Sequence, residues 1–215
     1  MVSYLRELRS LIEDIGKFYL TILNDPFSDF YACRIDQINT YKKLKRSGML
    51  DGLGNYVLDI GCGVGEFAYS LAKEGKNVVA IDVSKKAISE AKLRYEPRIK
   101  ILRAVKSCGF LKFKHIDIFN FDSEERFDSI IALRLINNIE FRKRKELLMK
   151  LENILSEGGI LLISSPISSS KHFEESEFLE SLGLELEKTL EESLNIMYPG
   201  RVIYPYKWTV NKYRK

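Results

Sequence analysis

The chain is poor in the residues on which many active sites are built. Its 215 residues include two histidines, one tryptophan and a single glutamine, Gln37. The three cysteines, Cys33, Cys62 and Cys108, stand far apart. Without a Cys-x-x-Cys pair, zinc ribbons and thioredoxin-like chemistry are excluded, no metal-ligand set is expected, and a reducing, cytoplasmic setting fits. No apolar run approaches the ~18–20 residues that span a bilayer. Residues 1–19 carry charges every few positions, unlike a signal peptide, so no membrane partner is expected. A strong charge excess is also missing: 34 Lys and Arg face 30 Asp and Glu, a net +4. That permits an anionic partner without demanding nucleic acid. The runs Lys42-Lys43-Leu44-Lys45-Arg46 and Arg142-Lys143-Arg144-Lys145 read first as solvated helix surface. With 45% hydrophobic and 30% charged residues the composition is that of a globular chain, and disorder is excluded.

The periodicity divides the chain in two. Leu5, Leu8, Ile12, Ile15, Tyr19 and Ile22 recur at spacings of three and four, which predicts an amphipathic helix ended by Asn24-Asp25-Pro26. A second helix is predicted over about 28–44. From Tyr56 onward short apolar runs alternate with helical stretches. Strands are predicted at 56–60, 77–81, 111–116, 127–133 and 160–164. Helices are predicted at 66–74, 84–94, 141–155 and 174–182. Pro97 is expected to interrupt the second of these, and Gly158-Gly159 to stop the third. Strand–helix alternation means a parallel sheet covered on both faces, and right-handed crossovers make it doubly wound. The tail differs. Segments 184–188 and 204–210 follow one another without a helix, which predicts an antiparallel pair closing the sheet. The expectation is an α/β, doubly wound, mostly parallel seven-stranded sheet with an antiparallel last strand. An N-terminal helical cap (1–48) precedes this domain (49–215).

The most informative stretch is Val57-Leu58-Asp59-Ile60-Gly61-Cys62-Gly63-Val64-Gly65-Glu66. A strand runs into a glycine turn that opens a helix, at the carboxyl edge where open α/β sheets bind ligands. The dinucleotide fingerprint G-x-G-x-x-G is not met, because the third glycine comes one residue early. Glu66 fills the sixth position, where a carboxylate would repel a pyrophosphate, so a ligand without phosphates is expected. Cys62 is expected to be a small residue that fits the turn. Asp82 ends the second strand, where an acid can accept from both hydroxyls of a ribose. Asp117 follows the third strand and has the chemistry to accept from an exocyclic amine. Asp59 lies inside a buried strand and must have partners there: loop amides, or an ammonium group directly or through water.

These residues resemble a class I S-adenosylmethionine-dependent methyltransferase. The resemblance runs through Asp59-Ile60-Gly61-Cys62-Gly63-Val64-Gly65, Asp82, Asp117-Ile118 and Phe127-Asp128-Ser129-Ile130-Ile131. It extends to Leu155-Ser156-Glu157-Gly158-Gly159-Ile160-Leu161 and covers about residues 49–215. It implies S-adenosylmethionine as the methyl donor and S-adenosylhomocysteine as the product. Gly61 and Gly63, with Cys62 between them and Asp59 before them in the donor-binding set, would hold the methionine part, Asp82 the ribose, and Asp117 with Ile118 the adenine amine. Val83 would pack on the adenine face, and the backbone near Leu133 would meet the ammonium.

The acceptor is less marked. The exit of the fourth strand, Ala132-Leu133-Arg134-Leu135-Ile136-Asn137-Asn138, lacks the Asn/Asp-Pro-Pro-aromatic motif of amide and exocyclic-amine methylation, and also the Pro-Cys nucleophile of cytosine C5 methylation. Arg134 is a candidate for an anionic acceptor group, with an equally good reading as a structural ion pair. His172 is the candidate general base. Asn137 and Tyr198 are rim candidates. Tyr31, Arg34 and Tyr41 would be contacts if the N-terminal helices form a lid. A small-molecule acceptor is expected. A nucleic-acid acceptor, RNA first, is the alternative, and a non-catalytic donor-binding protein the third reading.

Overall fold

A computed structural model describes residues 29–166, 172–194 and 206–215. The predicted first helix lies outside the described residues. The chain enters as helix α1 (Asp29–Arg46) and continues through β1 (Tyr56–Ile60), α2 (Glu66–Lys73), β2 (Asn77–Asp82) and α3 (Lys85–Val105). Then come β3 (Leu111–His115), β4 (Phe127–Ala132), α4 (Phe141–Ile154) and β5 (Leu155–Pro166). The rest is α5 (His172–Ser181), β6 (Glu185–Leu194) and β7 (Tyr206–Arg214).

The seven strands form one sheet in the order β3-β2-β1-β4-β5-β7-β6. Pairing is parallel from β3 to β5, and β7 runs antiparallel to both β5 and β6. The order reverses between β1 and β4, which places the switch point beside the glycine loop. The inner strands read as continuous apolar runs because both faces are covered. Val57, Ile131 and Leu162 pack on one face with Phe67, Leu71 and Tyr95. Leu58, Ile130 and Leu161 pack on the other with Leu147, Leu148 and Leu151 of α4.

Three expectations need correction. Helix α3 does not break at Pro97 but continues to Val105. A proline inside a helix costs about 3 kcal/mol. Here Ile88, Ala91, Tyr95 and Ile99 form one buried stripe on both sides of it, and that packing outweighs the lost bond. The Gly158-Gly159 pair does not separate helix from strand either, because β5 begins at Leu155. Its register against β4 shifts from Phe127↔Leu155 to Ser129↔Ile160, so the glycines accommodate an irregularity within the strand. Strands β6 and β7 are also longer than their apolar runs, because each pairs along its whole length with the other.

Helix α1 is bound into this frame. Leu44 is fully buried, and the Tyr41 ring meets Phe67 of α2 edge-on at 5.3 Å. Its carboxyl-terminal half therefore completes the core on one face of the sheet.

Candidate functional site

The site begins where β1 ends. Gly61, Gly63 and Gly65 all have positive φ (69°, 53° and 79°), which side chains other than glycine's resist. At Gly65 a Cβ would also lie 2.5 Å from the Phe113 ring. The loop is tied to β2, since the Gly61 and Cys62 amides both donate to the Ile81 carbonyl at 2.9 and 3.0 Å. Cys62 is buried in the turn, as its small size suggested.

Asp82 joins loop and strand. Its Oδ2 accepts from the Gly63 amide at 2.8 Å, and its Oδ1 accepts from the Ser84 amide at 2.7 Å. A carboxylate oxygen can accept twice, so Asp82 keeps capacity on both oxygens. Asp117 Oδ1 accepts from the Phe119 amide at 3.0 Å and caps the short turn Ile118–Asn120. Between the two acids Val83 is 65% exposed, an apolar side chain with nothing laid over it. His115 donates through Nε2 to the Val83 carbonyl at 3.0 Å and so fixes this segment.

Gly61, Asp82, Val83, Asp117, Ile118 and Leu133 line a single cleft of about 350 Å³. Ile60, Ile81, Ile116, Leu135 and Ile139 complete its apolar wall, and sequence reasoning singled out none of these. Asp59, Cys62 and Gly63 are not among the lining residues. Asp59 is buried with Oδ2 unpartnered. Burial first, and then the charge of Asp82, pushes its pKa up to about 7. A buried acid with an unpartnered oxygen is placed to receive a cationic group or its bridging water.

The acceptor-side candidates are more scattered. Arg134 lines the cleft at the β4 exit, but its guanidinium donates to Asp36 and, at 2.7 Å, to Thr40 Oγ1, both on α1. Its backbone amide donates to Ser164 Oγ at 2.6 Å. The structural ion pair is therefore the reading the geometry favours. Tyr41 is a core residue, which removes it from an acceptor surface. Arg34 points at the glycine-loop helix, donating through Nε to Glu66 Oε2 at 3.2 Å and to the Tyr95 hydroxyl at 3.3 Å. That contact corrects the argument made from Glu66. Its carboxylate is turned into a buried cluster with Arg34 and Tyr95, so it exposes no free charge to repel a phosphate. Burial, followed by the charge of Glu66, pushes the Tyr95 phenol up, and it remains a donor. The side chains of Tyr31, Asn137 and His172 lie outside the described residues, as does Tyr198 altogether.

One residue that sequence reasoning passed over is Gln37. Its Nε2 donates to the Cys62 carbonyl at 3.0 Å, and its Oε1 accepts from the Glu66 amide at 2.9 Å. The available signal was the lone glutamine on the same helical face as Arg34 and Tyr41, together with a helix whose N-cap, Gly65, offers no side chain.

A doubly wound sheet with an antiparallel β5-β7-β6 end and an acid-rimmed cleft at its switch point defines an α/β protein of the methyltransferase type. The family model described as a methyltransferase domain matches residues 53–201, and the chain belongs to that family. Among curated proteins, the mitochondrial ubiquinone biosynthesis O-methyltransferase of Dictyostelium discoideum is 29% identical over 150 residues, covering 66% of this chain and 44% of the relative. The ubiquinone biosynthesis O-methyltransferase of Pelagibacter ubique is 31% identical over 147 residues, covering 65% and 55%. The chain thus spans about half the length of the curated relatives it matches. Among solved structures, magnesium protoporphyrin IX methyltransferase from Synechocystis PCC 6803 with bound SAM has the same fold, with TM-score 0.63 and 19% identity over 86% of this chain and 80% of that one. The N-methyltransferase NodS of Bradyrhizobium japonicum gives TM-score 0.59 and 18% identity over 82% and 94%.

Proposed function

We propose that the chain is an S-adenosylmethionine-dependent methyltransferase that acts on a small-molecule acceptor and releases S-adenosylhomocysteine. The observation that carries this reading is the shared cleft. Two acids from successive strand ends stand on either side of an open apolar side chain, with the glycine loop beside them. Asp82 would take the ribose hydroxyls, Val83 the adenine face, and Asp117 with Ile118 the adenine edge. Gly61, with Gly63 behind it, and the backbone near Leu133 would hold the methionine portion, with Asp59 behind them for the ammonium.

The donor supplies an activated methyl on sulfur with a neutral leaving group. The chain's residues then have mainly to hold donor and acceptor in line and keep water out, which contributes on the order of 7–11 kcal/mol. Residues 1–48 act in this reading as a cap over a methyltransferase domain at 49–215. Arg134 fastens that cap in preference to reading an anionic acceptor. His172, at the start of α5, is the residue to test as a general base. The names of the curated relatives make a hydroxyl oxygen the first acceptor atom to examine. No helix among the described residues is long and apolar enough to cross a membrane. The cysteine pattern supports a cytoplasmic setting.

Calorimetry with S-adenosylhomocysteine and NAD tests the donor. Binding of the first is expected, and preferential binding of NAD would overturn the reading. Transfer of labelled methyl groups to small hydroxylated aromatics, against transfer to RNA, tests the acceptor class. Label in RNA alone would favour the nucleic-acid alternative.

A further inference from the structure

Among the described residues, helix α1 contributes none to the lining of the cleft, yet it grips two of the turns that frame it. On one side Gln37 bridges the Cys62 carbonyl and the Glu66 amide, and Arg34 reaches the Glu66 carboxylate. On the other side Asp36 and Thr40 hold the guanidinium of Arg134 at the β4 exit. The Gln37 contact has a specific backbone role. The first amides of a helix have no partner within it. Helix α2 begins after Gly65, whose lack of a side chain leaves the Glu66 amide without a local cap. Gln37 supplies that cap from another helix, and with its other end holds the carbonyl that opens the same turn.

We propose that Gln37 is a positioning residue that joins donor binding and the docking of α1 into one coupled event. The inference rests on the assignment of the donor to the cleft made above. A donor lying along Gly61 favours one conformation of the loop. That conformation presents the Cys62 carbonyl and Glu66 amide at the separation one glutamine amide spans. Coupling of this kind is reciprocal: whatever α1 contributes to donor affinity, the donor returns as stability of the docked helix. Because α1 also holds the β4 exit, the stability that the donor returns to α1 extends to the acceptor side.

Hydrogen exchange with and without S-adenosylhomocysteine tests this on the whole chain. In the wild type the ligand is expected to slow exchange at 61–66, 81–83 and 116–118, and also along α1 from 34 to 46. In Gln37→Met, which keeps the length of the side chain but neither hydrogen bond, the ligand should bind roughly tenfold more weakly. Protection at 81–83 and 116–118 should persist while the response of α1 is lost. Gln37→Glu keeps an acceptor for the Glu66 amide and should recover part of both. A merely structural residue would lower melting temperature equally with and without ligand and leave the α1 response intact. An α1 indifferent to ligand in the wild type overturns the proposal, as does a Gln37→Met chain with wild-type affinity and α1 response. The wild-type comparison decides the matter alone if that variant does not fold. Absence of protection at all three cleft segments would instead sink the donor-site assignment.

Discussion

The ends of β2 and β3 differ from the end of β5 in what their polar side chains are committed to. Among the described residues, Asp82 and Asp117 accept hydrogen bonds only from nearby backbone amides, and both line the open cleft. At the end of β5 the polar groups satisfy one another. Glu175 accepts from Ser165 Oγ at 2.9 Å through one oxygen and from Arg144 at 2.8 Å through the other, while Ser164 accepts from the Arg134 amide. A carboxylate with unused acceptor capacity beside a cleft is equipped for a ligand. One whose two oxygens are both matched by side chains stabilises the fold. On this view, residues of the first kind should cost binding when removed, and those of the second kind stability.

The largest effect is expected at Glu175. Glu175→Ala leaves Arg144, 20% exposed at its side chain, without its carboxylate and Ser165 without its acceptor. The loss should be about 2–3 kcal/mol, below the roughly 3–5 kcal/mol of a fully buried pair. Chemical denaturation measures it, and affinity for S-adenosylhomocysteine should not change. A binding loss with stability intact would erase the distinction. Asp82→Ala should do the opposite and weaken donor binding by about 1.5–3 kcal/mol in a titration. Asp128→Ala is its control. That carboxylate accepts from the Asn55 and Tyr56 amides at 2.9 and 2.8 Å, far from the cleft lining, so its loss should appear in the melting temperature alone.

Asp59 sharpens the comparison through pH. Its pKa stands raised from 3.8 to about 7 by burial and then by Asp82. A raised acid favours the folded state most below its unfolded pKa. That contribution is lost as pH climbs from about 4 through about 7. Asp59→Asn should flatten stability over this window. Donor affinity should move the other way in the wild type, because only the ionised acid attracts an ammonium. A rise of about tenfold between pH 6 and pH 8 is expected, absent in Asp59→Asn, and a flat profile would remove Asp59 from the donor site. The smallest effect is expected for Asp117→Asn. A neutral amide oxygen still accepts from an amine, so the affinity loss should be only about 0.5–1.5 kcal/mol by calorimetry.

The same contrast explains what the sequence makes legible. Each of the first three strands delivers its cleft-lining residue at a fixed offset from a short apolar run. Gly61, Asp82 and Asp117 could therefore be placed by counting. The apolar wall of Ile60, Ile81, Ile116, Leu135 and Ile139 could not, since an isoleucine at a strand end looks the same whether it lines a cleft or fills a core. The partners of Arg134 and Glu66 were hidden for another reason. Their ion-pair partners, Asp36 and Arg34, lie on α1, and contacts between residues 30 to 100 positions apart leave no local pattern. Pro97 and the Gly158-Gly159 pair misled because both are local signals overruled by long-range packing and strand pairing.

Arg134 has one more consequence. It is the only residue other than glycine at positive φ among those described, with φ 55°. Holding such a residue there costs roughly 1–2 kcal/mol. Glycine would avoid the cost but has no side chain with which to reach Asp36 and Thr40. Two demands thus compete for one position: an easy turn, and an anchor that crosses to another helix. Substitution by glycine should relax the turn and release the anchor together, so the measured stability change is a difference of opposing terms. A near-zero result there would mean that the anchor's contribution matches the strain it maintains. Asparagine, which tolerates this backbone region better than arginine but cannot span the gap, would separate the two.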